Sequence, residues 1–189
     1  KADYWHNIVY PWDLISGNSM ALRDNLIYKN GKVEANVSIR GDVSIGKGTI
    51  IRSGTYLQGP LSIGDNCDIG PNSVIGSSVS VGDNTTIGAF TEIVDSIAMK
   101  NCEIGSYCSF KGTVVGEDNI LGSHCVAVPN NRNIMYLGKE FSISNRGAMI
   151  GDGCRIGSRA ILEGGSILLS NATIGEGELY NAAFQGDSI

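Results

Sequence analysis

Branched aliphatic residues recur at every sixth position through the first half of the chain. They occupy eleven positions: Val33, Ile39, Ile45, Ile51, Leu57, Ile63, Ile69, Ile75, Val81, Ile87 and Ile93. A period of six fits neither the 3.6-residue repeat of a helix nor the two-residue alternation of an ordinary strand. It is typical of a parallel β-helix, in which no single repeat buries its apolar face and the stacked coils create the core.

A second set of inward residues precedes the first by two positions and is mostly small or β-branched. Its members are Val37, Val43, Thr49, Thr55, Leu61, Cys67, Ser73, Val79, Thr85 and Thr91. Gly often follows the aliphatic position, as in Ile45-Gly46 and Ile63-Gly64, and Asp and Asn often come next. These residues tolerate tight or left-handed turns. Each hexad therefore predicts a short strand and a corner.

The repeat continues beyond residue 93 with two steps of five and one interruption. The aliphatic positions that continue it are Met99, Ile104, Phe110, Val115, Leu121 and Ala127, followed later by Ile150, Ile156, Leu162, Leu168 and Ile174. Residues 128–147 lack the paired pattern, and we interpret them as a loop projecting from one corner. A degraded coil through Leu137, Ile143 and Met149 is the alternative. Long irregular segments in compact domains are often functional, so this excursion is the first place to look for a site.

Composition and charge exclude several classes of function. The chain has 189 residues, 42% of them apolar, and a net charge of −5. It offers no basic stripe for nucleic acid. No segment reaches the roughly 18 apolar residues that span a bilayer, and no secretory signal is present, so we expect a cytoplasmic protein with no nucleic-acid or membrane partner. The start at Lys1, without an initiator Met, suggests a chain cut from a longer polypeptide.

Five cysteines raise the question of a zinc site or disulfides. Each of them lies two residues before an aliphatic repeat position: Cys67, Cys102, Cys108, Cys125 and Cys154. Thr, Val and Ser otherwise fill this position, no pair has C-x-x-C spacing, and the number is odd. We therefore predict small core residues and no metal site.

The segment before the repeats, residues 1–28, lacks the hexad pattern. It reads Pro11-Trp12-Asp13-Leu14-Ile15-Ser16-Gly17-Asn18, and a short helix is predicted after Pro11, with Leu14, Leu22 and Leu26 on its apolar faces. From physical arguments alone, this helix caps the open end of the solenoid.

This Pro-Trp-Asp-Leu segment, followed at once by hexads, resembles the sugar-1-phosphate nucleotidylyltransferases. The resemblance is strongest to the bifunctional glucosamine-1-phosphate acetyltransferase/uridylyltransferase family and covers nearly the whole chain. It implies an all-β fold, a left-handed parallel β-helix of hexapeptide repeats over residues 29–189, after a short helical segment over residues 1–28. It also implies a homotrimer that handles a sugar phosphate.

The resemblance further implies that the nucleotidyl-transfer domain, with its phosphate loop and magnesium ion, lies upstream of this chain. Family members carry an Asp for that magnesium just before the Pro-Trp-Asp-Leu segment, where this chain has Asn7 within Trp5-His6-Asn7-Ile8-Val9-Tyr10. A neutral amide is a weaker partner for a hard dication than a carboxylate. Nucleotidyl transfer by the parent protein is therefore impaired unless another carboxylate serves.

In bifunctional relatives, the solenoid moves an acetyl group from acetyl-CoA to an amino-sugar phosphate, with a His as general base. The matching stretch of this chain has Ser106 at the His position and Ser109 at the Tyr position. The phosphate-binding side is better kept, since Asn130-Asn131-Arg132 matches Asn-Leu-Arg and Arg146 matches a cationic position. The scaffold is retained, and the base it normally carries is replaced.

His124 is the one histidine within the repeats and is the candidate substitute base. A solvated surface His is the alternative. Four residues within the excursion are candidate ligands of a phosphate bound between subunits: Asn130, Arg132, Lys139 and Arg146. The alternative is that the three cations are ordinary solvated loop residues. Two hypotheses remain: an assembly and regulatory module of a nucleotidylyltransferase, which we favour, and an acetyl-CoA-dependent N-acetyltransferase.

Overall fold

The computed structural model describes residues 7–24 and 27–182. One helix, α1 (Asp13–Ala21), is followed by a 3₁₀ turn at Leu22–Asp24. The strands are, in chain order, β1 (Lys32–Val33), β2 (Ser38–Arg40), β3 (Val43–Ile45), β4 (Ile50–Ile51), β5 (Tyr56–Gln58), β6 (Leu61–Ile63), β7 (Asp68–Ile69), β8 (Val74–Ile75), β9 (Val79–Val81), β10 (Thr86–Ile87), β11 (Glu92–Val94), β12 (Ile97–Ala98), β13 (Glu103–Ile104), β14 (Ser109–Lys111), β15 (Val114–Val115), β16 (Ile120–Leu121), β17 (Val126–Val128), β18 (Asn130–Tyr136), β19 (Lys139–Arg146), β20 (Met149–Ile150), β21 (Arg155–Ile156), β22 (Ile161–Glu163), β23 (Ile167–Leu168), β24 (Thr173–Ile174) and β25 (Leu179–Tyr180).

Each coil contributes one strand to each of three parallel sheets. The first sheet runs β1-β4-β7-β10-β13-β16-β21-β24, the second runs β2-β5-β8-β11-β14-β17-β22-β25, and the third runs β3-β6-β9-β12-β15-β20-β23. The in-register pairs, such as Ile87 with Ile69 and Ile104, show that equivalent hexad positions stack directly on one another. The stacked aliphatic residues form one continuous core along the axis.

The second inward position is polar in many coils because its side chain completes the backbone hydrogen bonding at the corners. Thr85 Oγ1 donates to the carbonyl of Met99 at 2.9 Å and accepts from the backbone N–H of Cys102 at 3.2 Å. Cys102 Sγ in turn donates to the carbonyl of Gly116 at 3.0 Å. Thr, Ser and Cys fit this position because each is small and can satisfy a buried backbone group.

All five cysteines occupy this slot as free, buried thiols, so the prediction of small core residues is confirmed. Burial raises the pKa of Cys102 to about 11, and it raises the pKa values of Cys67 and Cys154 as well. These groups are therefore neutral thiols in the folded protein at neutral pH.

One inward assignment made from the sequence is wrong. Ala98 and not Met99 pairs with Val81 and joins the core, so the first step of five falls between Ile93 and Ala98. Met99 instead packs on the outer face of the third sheet. Val33 keeps the predicted register, since it pairs with the inward Ile51, but it is 40% exposed because it belongs to the first strand of the solenoid, where no preceding coil covers it.

The excursion at residues 128–147 leaves the solenoid at a corner, as predicted, but it is a β-hairpin and not a loop. Its strands β18 and β19 pair antiparallel, and the turn at Leu137 and Gly138 has φ values of 48° and 72°. Positive φ at both turn residues is the geometry of tight two-residue hairpins. Leu137 lies at this tip and Ile143 lies within β19, so neither belongs to a degraded coil; Met149 begins β20 of the solenoid.

Helix α1 and the hairpin together cover the outer face of the third sheet. Their contact is a second apolar cluster, separate from the coil core, whose buried members are Ile15, Val114, Ile134, Ile143, Met149 and Ile167. The helix begins at Asp13, two residues after Pro11, and Leu14 and Leu22 pack as predicted, whereas Leu26 lies outside the described residues. The predicted cap therefore lies along a side of the solenoid.

The fold class predicted from the sequence, an all-β parallel β-helix of hexapeptide repeats with a short N-terminal helix, is confirmed. Across residues 7–24 and 27–182, the structure has no helix with the length and apolar character needed to cross a bilayer.

Candidate functional site

Arg146 lies where helix α1, the hairpin and the solenoid meet. This residue ends β19, and its guanidinium reaches two other elements. Nη1 lies 3.4 Å from Asp95 Oδ2 at the corner after β11, and Nη2 donates to Ser16 Oγ of α1 at 3.2 Å. The side chain is 22% exposed, so it is partly shielded from water. One cation therefore ties the three elements together.

A polar pocket of about 260 Å³ opens beside this guanidinium. Its lining residues come from α1 and β19: Trp12, Asp13, Ser16, Ser142, Ile143, Ser144 and Arg146. Hydroxyl groups, one guanidinium and an indole wall are suited to a small ligand with several hydrogen-bonding groups.

The electrostatics of this pocket are nearly balanced. Burial raises the pKa of the Asp95 carboxyl above its ordinary value, although the nearby Arg146 and Lys111 act in the opposite direction. An ionised Asp95 neutralises Arg146, so an anionic ligand has to compete with this carboxylate for the guanidinium.

The other cations predicted for the excursion do not converge with Arg146. Arg132 Nη1 lies 3.6 Å from Glu163 Oε2, and Arg132 Nη2 donates to the carbonyl of Asn181 at 3.4 Å. Lys139 is exposed beside the hairpin turn. Asn130 lies opposite Arg146 at the hairpin base, and its Oδ1 accepts from the N–H of Asn131. Within one chain, these side chains point to separate partners.

An apolar cavity of about 250 Å³ lies next to the polar pocket, beneath Pro11 and Leu14. Met99, Val114, Met149 and Ile167 of the third sheet form its floor, and Tyr136 of the hairpin and Asp152 lie at its edges. The hexad pattern does not reveal this cavity, because Val114 and Ile167 are outward positions that it treats as surface and Met99 is a residue that it places in the core.

His124 lies on a different corner from the hairpin, the one between the first and second sheets. Its imidazole stacks on the ring of Tyr107 at 4.9 Å, and that ring stacks on Phe90 at 5.0 Å. We call the column of Phe90, Tyr107 and His124 the aromatic corner. His124 is exposed, so its imidazole is open to solvent.

Ser106 lies next to the aromatic corner, and Ser109 lies on the second sheet. The N–H of Ser106 donates to Ser123 Oγ at 3.2 Å. Ser109 lines a groove of about 190 Å³ on the outer face of β11, β14 and β17, together with Glu92 and Lys111. The two serines therefore belong to a surface separate from the pocket of Arg146. Asn7, the residue at the predicted magnesium position, is exposed near the start of the described chain.

Sequence reasoning missed several residues that shape these sites. Ser16 and Trp12 line the pocket of Arg146, and Asp95 lies beside its guanidinium. Glu92 and Lys111 line the groove of Ser109. The Pro-Trp-Asp-Leu segment is the sequence feature that could have identified Trp12 as a site residue. No sequence pattern pairs Ser16 with Arg146, because 130 residues separate them along the chain.

Comparisons with known proteins agree with this architecture. Residues 57–146 match the GMPPB C-terminal domain, and residues 147–177 match the hexapeptide repeat of succinyl-transferase. The bifunctional protein GlmU of Methanococcus vannielii is 32% identical over 193 residues, covering 98% of this chain and 46% of the relative. GlmU of Methanococcus maripaludis strain C7 is 41% identical over 198 residues, covering 98% and 47%. The chain thus spans about half the length of the curated relatives it matches.

Among solved structures, a hexapeptide transferase family protein from Anaplasma phagocytophilum aligns with a TM-score of 0.47 and 18% identity, covering 74% of this chain and 70% of that one. A Francisella novicida UDP-N-acetylglucosamine acyltransferase aligns with a TM-score of 0.45 and 19% identity, covering 76% and 60%. The family-model match and the sequence matches to GlmU confirm the resemblance that was inferred from the sequence. The chain is therefore a parallel β-helix of hexapeptide repeats that is similar to the GMPPB C-terminal domain and to about half of the bifunctional protein GlmU.

Proposed function

We propose that this chain is the C-terminal β-helix domain of a cytoplasmic sugar-1-phosphate nucleotidylyltransferase of nucleotide-sugar biosynthesis, and that it acts mainly as a homotrimeric assembly and regulatory module. The observation that carries the proposal is the tight docking of the Pro-Trp-Asp-Leu segment. Trp12 contacts the rings of Tyr136 and Phe141 at centroid distances of 5.5 and 5.2 Å, and Asn18 Nδ2 donates to the carbonyl of Ser78 at 3.0 Å.

This docking favours a structural role because it fixes the direction in which the chain enters the solenoid. Aromatic contacts across the α1–hairpin boundary, together with the Arg146–Ser16 hydrogen bond, hold the helix at one orientation. A domain attached ahead of the helix would be held at a defined position relative to the solenoid. A fixed attachment of this kind is what an assembly module requires.

The substitution of the general base also supports this reading. Ser106 occupies the position that carries the catalytic His in acetyl-transferring relatives, and an alcohol of ordinary pKa does not serve as a general base near neutral pH. The chain therefore keeps the scaffold and lacks the side chain that makes the scaffold an acetyltransferase.

The assembly proposal is tested by light scattering coupled to gel filtration. We expect a mass of about three times 19.9 kDa at micromolar concentration. A single species with the mass of one chain would overturn the assembly role, together with any site formed between subunits.

A second candidate function is an acetyl-CoA-dependent N-acetyltransferase acting on an amino-sugar-1-phosphate. The exposed imidazole of His124 favours it, since a base must be accessible to the proton it removes. Arg132, Lys139 and Arg146 would contribute to the phosphate site, with Asn130, if a neighbouring subunit brings its hairpin near that imidazole. In bifunctional relatives, the acyl donor is acetyl-CoA.

A thiol-release assay with glucosamine-1-phosphate and acetyl-CoA separates the two functions. We expect residual turnover at most, because general-base catalysis is typically worth about 10²- to 10⁴-fold in rate. Turnover lost in His124→Ala would establish the acetyltransferase and identify the base. A silent wild type with activity restored by Ser106→His and Ser109→Tyr would trace the loss to those two positions.

A further inference from the structure

Four successive coils place unusual residues in a left-handed backbone conformation at one corner. Phe90, Tyr107, His124 and Arg159 have φ values of 57°, 59°, 61° and 64°. All other described solenoid residues with positive φ are Gly, Asn, Asp or Ser. Bulky residues rarely adopt this conformation, which costs roughly 1–2 kcal/mol per residue outside Gly, and such outliers point to function.

The corner between the third and first sheets shows what the fold itself favours at these positions. Its left-handed residues in neighbouring coils are Asn66, Asn84, Asn101 and Asp118, linked by side-chain hydrogen bonds of 3.4, 3.1 and 2.9 Å. We call this column the Asn corner. Folding of a coil therefore does not require an aromatic ring at a left-handed position.

The rings of the aromatic corner remain open to water although they stack on one another. Phe90 and Tyr107 are 51% and 52% exposed, and the planes of successive rings lie within 11° and 3° of parallel. Ile120, in the coil of His124, is also exposed, and so are Val74 and Ile161 in the coils before and after the column. A column of exposed, stacked rings on a folded chain is typical of an interaction surface.

We propose that the aromatic corner is the surface through which one copy of this chain binds the next copy. The inference rests on the homotrimer proposed above and names its contact surface. The rings repeat at about the spacing between coils, 4.9 to 5.0 Å, and a second copy presents side chains with that same spacing. A partner with the same coil rise can match several rings at once.

Charge favours the same partner and locates its contact surface. Arg159 is exposed and makes no ion pair among the described residues, whereas Asp118 and Asp152 are exposed carboxylates at or beside the Asn corner. In a closed ring with its axis parallel to the solenoid, each contact joins two different surfaces and each coil meets its equivalent in height. Asp152 and Arg159 belong to the same coil, so Arg159 of one copy faces Asp152 of the next.

The test replaces the rings with the residue that the Asn corner uses. The variant Phe90→Asn/Tyr107→Asn keeps a side chain that tolerates positive φ, so the coils should fold with unchanged circular dichroism. We expect its trimer to dissociate at least tenfold more readily in light scattering and sedimentation, since buried aromatic residues dominate interfaces. The matched control is Leu137→Asn at the hairpin tip, where Leu137 is 61% exposed with a φ of 48°.

Each outcome decides between the two proposals. A trimeric wild type and control, with a dissociated but folded double variant, supports the aromatic corner as the interface. Equal dissociation constants for wild type and double variant overturn the interface and leave the trimer standing, as does dissociation of the control to the same extent. A monomeric wild type overturns both.

Discussion

At the scale of the residue, burial alternates from one position to the next within each strand. Ile87 is fully buried and stacks between Ile69 and Ile104, whereas Thr86, one residue earlier, is exposed on the outer face. The same substitution at these two neighbours should therefore have very different consequences for the stability of the fold.

We expect Ile87→Asp to prevent folding and Thr86→Asp to leave the melting temperature within a few degrees of wild type. An unpaired carboxylate in the core costs several kcal/mol, against a total stability of about 5 to 15 kcal/mol. Circular dichroism melting curves of the two variants provide the measurement. Equal melting of Ile87→Asp and wild type would show that the assigned hexad register is wrong.

The buried thiol of Cys102 should make the protein less stable in alkali. Its pKa is about 11 in the folded state against about 9 in the unfolded chain, because burial disfavours the thiolate. Between pH 9 and 11, the unfolded state therefore binds fewer protons, and the free energy of unfolding falls as pH rises, by up to about 1.4 kcal/mol per pH unit for this group.

Urea unfolding of Cys102→Thr from pH 8 to pH 11 measures this contribution. Thr already occupies the equivalent slot at Thr85, and its hydroxyl can replace the bond to Gly116 without titrating. We expect a shallower loss of stability than in wild type, with the remaining slope due to the other buried thiols. Identical slopes in the two proteins would contradict the assignment.

At the scale of the element, the hexad rule predicts the coils well but does not predict the helix and hairpin that cover the third sheet. The steps of five leave Ala98 and Met99 both eligible for the core, and the choice becomes clear only because Ser96 fills the polar slot two residues before Ala98. Outward apolar residues such as Ile97 and Val114 break no rule of the repeat. Their burial depends on α1 and the hairpin, which the hexad pattern does not describe.

The sequence of the hairpin contains an alternating apolar pattern, although it lacks hexads. Ile134 and Tyr136 alternate on one strand, Phe141 and Ile143 on the other, and Leu137-Gly138 lies between them. Alternation on both sides of a short turn is typical of a hairpin. The candidate site at Arg146 was harder to predict, because its partners Ser16 and Asp95 lie far away in sequence.

Removal of the Trp12 indole should loosen α1 and the hairpin while the coils stay folded. The α1–hairpin cluster is separate from the coil core, so we expect Trp12→Ala to lose roughly 2–4 kcal/mol of local stability. Hydrogen exchange should accelerate in β18 and β19 and stay slow in the strands of the first sheet. Leu137→Ala, at the exposed hairpin tip, is the control expected to exchange like wild type.

At the scale of the whole molecule, each coil contacts only its neighbours, so an association surface has to extend over several coils to be strong. If three copies form the stable unit, folding and association are linked, and the melting temperature should rise with protein concentration. Scanning calorimetry over a hundredfold concentration range measures this. A melting temperature independent of concentration would argue against a linked trimer.

The inward thiols also make the chain a reporter of its own unfolding. Cys67, Cys102, Cys125 and Cys154 lie in different coils, and each is sealed from water by the coils above and below it. A thiol reagent can modify one of them only when its coil opens. Labelling rates read by mass spectrometry would therefore rank the opening of individual coils along the axis without any engineered probe. Such a ranking would show whether the solenoid frays from one end or opens in the middle.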